Sequence, residues 1–143
     1  MILTYAPKDG DRQVWQFKAD DMLNAESELI EKRTDWTWIE FLERLQKGST
    51  LARRALLWTL LRRTHATLRF EDVRFAQGEL TLDFDADELR ALREAVASGP
   101  EVSGLNKDLI LAKLDQEIAE QEAAGRDPGK APANSDASAT STP

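Results

Sequence analysis

Few residues in this chain could do covalent chemistry. There is one histidine, His65, and no cysteine among 143 residues. That excludes disulfides, thiolate metal ligands and cysteine nucleophiles. A zinc ion would need carboxylates beside His65, an uncommon ligand set. His65 stands near the end of a predicted helix, where a partly charged imidazole suits the dipole. Ser49 and Ser98 have no base at a recognisable spacing, so neither reads as a nucleophile. Asp83, Asp85, Asp87 and Glu88 loosely follow a calcium loop, but the glycine at the sixth place and the distal bidentate glutamate are missing. Their expected role is a strand end and a helix cap. No catalytic, metal or cofactor site is expected, and the chain reads as a non-enzyme.

Binding is the remaining class. The net charge of −7 and pI near 4.8 oppose nucleic-acid phosphate, which needs a clustered basic face. Arg53, Arg54, Arg62 and Arg63 flank an apolar helix. At about 100° per residue they point in four directions and form no single basic face, so they read as charges bordering a buried segment. No apolar run approaches membrane-spanning length, and the N-terminal residues do not follow a signal-peptide pattern. A cytoplasmic protein with a basic or neutral protein partner is expected.

Two features bear on how such a partner is held. Glu26 falls inside an apolar helical arc of Met22, Ala25, Leu29 and Ile30. A buried carboxylate needs a partner, and an arginine of the third helix, Arg54 or Arg63, is the candidate, with Arg53 or Arg62 as good; a twisted helix leaving Glu26 at the rim is the alternative. Four tryptophans are present. Trp58 and Trp38 lie at core positions, whereas Trp15 and Trp36 are candidate protein-binding residues, since tryptophan is favoured in interface hot spots; packing between hairpin and helices is their ordinary role. A late stripe of Ile110, Leu111, Leu114 and Ile118 either folds back on the core or docks on another chain.

The elements that position these residues follow from periodicity and caps. Ile2–Tyr5 and Arg12–Lys18, joined by a Pro7–Asp11 turn, read as a β-hairpin, with Gln13, Trp15 and Phe17 on one face. A first helix is expected from a cap at Asp20 or Asp21 to about Arg33. Thr37 and Glu40 form a capping box for a second helix, closed by Gly48. Ser49 or Thr50 starts a third, to about Thr64, whose middle is apolar all round and therefore buried. Leu68–Phe75 is either one helical turn or an irregular link. Leu80–Phe84 alternates as a short third strand, and Asp85 with Glu88 caps a fourth helix. Residues 99–104 read as a hinge, 105–124 as an amphipathic helix and 125–143, by composition, as a disordered tail. The expected fold is mainly α (α+β), with a compact domain over 1–98 built round a buried central helix.

Against that background the chain resembles a known family. The run Ala25-Glu26-Ser27-Glu28-Leu29-Ile30-Glu31-Lys32, then Thr34-Asp35-Trp36-Thr37-Trp38, is similar to siphophage tail assembly chaperones of actinobacterial type. The likeness continues through Phe41, Gly48-Ser49, Arg54 to Arg63 and Phe70 to Phe75, and spans roughly residues 2–84. At Thr34-Asp35 the family leads one to expect threonine-glycine. The resemblance implies a factor that binds the tape measure protein, keeps it soluble and helps recruit tail tube protein in the host bacterial cytoplasm, and that is absent from the mature virion. It also implies, for many members, a frameshifted longer form; that form and a second copy of the chain are further candidate partners. An acidic adaptor, antitoxin or inhibitor of phage or bacterial origin is the competing expectation.

Overall fold

A computed structural model of the chain describes residues 1–101, 104 and 106–126. The architecture is α+β, with five α-helices and one three-stranded sheet among these residues. The described residues divide into two compact units, one of residues 7–10 and 17–80, the other of residues 1–6, 11–16 and those described from 81 to 126.

The first unit is a three-helix arrangement of α1 (Asn24–Thr34), α2 (Trp38–Gln46) and α3 (Thr50–Leu61), each packed on the other two. The caps explain where α2 begins and ends and where α3 begins. Thr37 Oγ1 accepts the Glu40 N–H at 3.2 Å and Glu40 returns the bond to the Thr37 N–H at 2.7 Å, so two orphan donors are satisfied together. Gly48, at φ 86°, closes α2. Its N–H reaches Leu45 O and the Ser49 N–H reaches Arg44 O at 2.9 Å, the paired bonds of a Schellman ending. Ser49 then caps α3 through the Ala52 N–H. Every residue from Ala55 to Leu60 is buried, as the unbroken apolar run requires. Ile30, Phe41 and Leu45 are buried as well.

Two boundaries differ from expectation. The first helix does not start at Asp20 or Asp21. These residues sit in a single 3-10 turn (Ala19–Asp21), Met22 and Leu23 are extended, and α1 begins at Asn24. Asp20 and Asp21 therefore stand in a separate turn and cap no α-helix, and Ala25, expected on the apolar arc, is exposed. The third helix stops at Leu61, not Thr64; the next residues wind into turns, with Arg63 and Thr64 each bonding three residues back. The stretch from Leu68 to Phe75 is a link carrying one 3-10 turn, Phe70–Asp72.

The second unit holds the sheet, apart from Leu80, in the order β2 (Gln13–Gln16), β1 (Ile2–Tyr5), β3 (Leu80–Asp83), with two helices, α4 (Ala86–Ser98) and α5 (Lys107–Arg126). The hairpin pairs antiparallel, Ile2 with Gln16 through Tyr5 with Gln13, without a bulge. Asp85 caps α4 by accepting the Glu88 N–H at 2.9 Å, and Glu88 accepts the Asp85 N–H at 2.9 Å. Asn106 caps α5 through the Leu109 N–H. Helix α5 packs on α4, so it belongs with the sheet unit and does not stand alone beyond a hinge. Part of the expected 99–104 link, and the tail beyond residue 126, lie outside the described residues.

Candidate functional site

The displaced start of α1 accounts for Glu26. It is the third residue of the helix, and its Oε1 accepts the Leu23 N–H at 3.3 Å. Leucine has no acceptor to return, so Glu26 supplies the only side-chain half of this cap. The same carboxylate meets Arg63 through two bonds, Nε to Oε2 at 2.7 Å and Nη2 to Oε1 at 2.9 Å. The forked geometry is the strong form of the pair. The Arg63 bonds hold the Glu26 carboxyl below its ordinary value against the opposing push of burial, and raise the guanidinium in turn. Of the four arginines considered, the partner is Arg63.

Arg54 does something else. Its Nη2 donates to Phe70 O at 3.0 Å and its guanidinium stands 4.3 Å from the Phe70 ring centre. Arg33 lies over the same ring at 4.1 Å and pairs with Glu71. Arg62 Nη1 and Trp58 Nε1 both donate to Leu68 O. These cations fasten the link after α3 to the helices, so three of the four flanking arginines bond the protein's own carbonyls and carboxylate. His65 is exposed, and its N–H bonds Leu61 O at the helix end.

Trp36 lies in the turn between α1 and α2, half-buried, with the Arg44 guanidinium 4.5 Å from its ring centre. The turn depends on Asp35, which adopts φ 63° and bonds Glu31 O at 2.8 Å. Side chains other than Gly, Asn and Asp fit this left-handed conformation poorly. Trp36 also lines an open cleft of about 590 Å³ with Glu28, Glu31, Lys32, Asp35, Thr37 and Glu40. Two of its carboxylates are already engaged, Glu31 by the Trp38 N–H and Glu40 by the Thr37 N–H.

In the second unit the carboxylates at 83–88 are not gathered round a common point. Asp85 is buried, and with Glu88 it meets the terminal ammonium of Met1 at 3.0 and 2.8 Å. Burial pushes the Asp85 carboxyl up, but the Glu88 N–H and the ammonium outweigh it and hold the group below its ordinary value. Asp87 turns to Arg90. Among the described residues no group of three or more histidines and carboxylates could hold a metal ion.

The remaining candidates separate. Trp15 is half-buried on β2, opposite the buried Leu3. On α5, Leu114 is buried while Ile110, Leu111 and Ile118 are half-buried. Arg93 pairs with Asp115 and Arg90 with Glu122, tying α5 to α4. The stripe is thus partly covered within the chain. Among the described residues Ile39, 69% exposed, and Leu109, 68% exposed, are the most open large apolar side chains, and the helical stripes give no reason to single out either. The role of Asp85 beyond capping was equally hidden, because an ion pair across 84 positions leaves no local pattern. Comparison of the chain with protein-family models, curated proteins and solved structures found no match in any of the three.

Proposed function

We propose that this chain is a tail assembly chaperone of a long-tailed bacteriophage. It binds the tape measure protein before assembly, keeps it soluble and helps recruit tail tube subunits, without catalysis and without a cofactor. The observation that carries the reading is the resemblance over residues 2–84, which takes in α1, the turn to α2 and the apolar α3. Physical features agree with it. The chain is acidic, three of the four arginines flanking the apolar run of α3 bond its own carbonyls and carboxylate, and large apolar side chains are left open on the surface. Among the described residues no helix is long and apolar enough to cross a membrane, and the proposed location is the host bacterial cytoplasm.

The test is a pull-down of the tagged chain from infected cells during tail assembly, beside an inventory of purified virions. The tape measure and tail tube proteins are expected with the bait, together with a longer frameshifted form, and the chain is expected to be missing from virions. Its presence in virions at structural stoichiometry would overturn the reading. Capture of a toxin, or of a host enzyme whose activity it blocks, would instead favour an antitoxin or inhibitor.

A further inference from the structure

Arg63 serves three acceptors at one place. Its Nε and Nη2 fork onto Glu26 at 2.7 and 2.9 Å. Nη2 also stands 3.6 Å from the thioether sulfur of Met22. This nitrogen carries two hydrogens, so the sulfur takes the one that Glu26 leaves. All three residues lie in the α3 unit. Met22 is extended, at φ −70° and ψ 133°, directly before the Leu23 that begins α1, and it is half-buried. The chain has one other methionine, Met1, which is 8% exposed. A thioether is a weak acceptor, so a charged donor is spent here on a partner that uses little of it.

We propose that Met22 is a modification site, oxidised by a peroxide to the sulfoxide, and that Arg63 holds the new oxygen. The sulfur attacks one oxygen of hydrogen peroxide, an S–O bond forms and the O–O bond breaks. The sulfur loses two electrons, and the other oxygen, reduced, takes up both protons and leaves as water. A sulfoxide ordinarily disrupts the packing of a half-buried methionine, because a polar group replaces an apolar one. At Met22 the donor is already in place, and a bond from an ionised donor is the stronger kind. Glu26 keeps both its bonds, since the sulfoxide oxygen takes the hydrogen that the sulfur held. Oxidation therefore fastens the start of α1 more firmly to the turns after α3, and sulfoxide reduction undoes it. The inference does not depend on the identity of the client proposed above.

The test treats the full chain with hydrogen peroxide until its mass has gained one oxygen, which peptide mapping then locates. The oxygen is expected on Met22, with Met1 spared. Amide hydrogen exchange is compared between oxidised and untreated protein. The Glu26 and Ser27 N–H groups bond Leu23 O at 2.9 and 3.0 Å, and both should exchange about threefold more slowly after oxidation. In Arg63→Ala the same oxidation should speed them, because the sulfoxide has lost its donor. Met22→Leu, treated alike, should show no change. The sign of the wild-type effect is a test even if Arg63→Ala folds poorly. Oxidation of Met1 as readily as Met22, no slowing in the wild type, slowing retained in Arg63→Ala, or slowing reproduced in Met22→Leu would each overturn the proposal.

Discussion

In the unit built on α3, every side chain from Ala55 to Leu60 is buried and two helices, α1 and α2, pack on it. In the unit built on the sheet, α4 and α5, the buried apolar side chains are scattered, Leu3, Leu89 and Leu114 among them. Charged ties accompany them: the Met1 ammonium with Asp85 and Glu88, Arg90 with Glu122, and Arg93 with Asp115. An apolar core is indifferent to proton and salt concentration to first order. Ion pairs are not, because their strength depends on ionisation and on screening. The first unit carries ion pairs too, Glu26 with Arg63 and Arg33 with Glu71, but its continuous buried run does not depend on them, so it is the more robust to its medium and the second is the one that solution conditions should loosen first.

The largest expected effect breaks the first unit. Leu56→Ala removes a fully buried side chain and should cost about 2–5 kcal/mol, read as a lower denaturation midpoint that salt leaves unchanged. Asp85→Ala should cost about 2 kcal/mol by deleting the α4 cap and one carboxylate from a buried ion pair. Exchange protection should fall first in α4 and α5, and equal loss in α3 would contradict the contrast between units.

Glu26→Ala is next, at about 1 kcal/mol. The carboxylate is 15% exposed but Arg63 is 47% exposed, which screens much of the pair's attraction. The pH dependence follows from sign. The folded carboxyls of Glu26 and Asp85 both lie below their ordinary values. Their contributions are complete above the unfolded values of about 4 and are lost as the pH falls through the lower folded ones. Glu26→Gln should flatten that acid limb for amides of α1, and Asp85→Asn for those of α4. An acid limb unchanged in both variants would show that other carboxylates set it. The smallest effect is a gain. Asp35→Gly relieves the left-handed turn, offset by a more flexible unfolded chain, and should raise stability by about 0.5 kcal/mol.

The same contrast marks what could be read from residues alone. Caps and periodic runs are local, so the Thr37–Glu40 and Asp85–Glu88 boxes, Gly48 and the buried α3 were legible. The start of α1 was not. Two aspartates before an apolar run signal a cap equally well for a 3-10 turn and for an α-helix, and the wheel drawn from Met22 set Ala25 on the wrong face. Glu26 was recognisable as needing a partner, but its choice of Arg63 over Arg54 depends on the path of the link after α3. Phe70 draws Arg54 to that link by its ring and carbonyl. Trp15 and Trp36 were visible as candidates by type. That one lines a sheet edge and the other a cleft follows from topology, and the two stand in different units.

The functional claim is tested most directly by solubility. The proposed client, a tape measure protein encoded in the same genome as this chain, is expressed alone and together with it, and its soluble fraction is measured. The account predicts a largely insoluble protein alone and a soluble, co-purifying complex when the two are made together. A soluble fraction that is the same with and without this chain would contradict it.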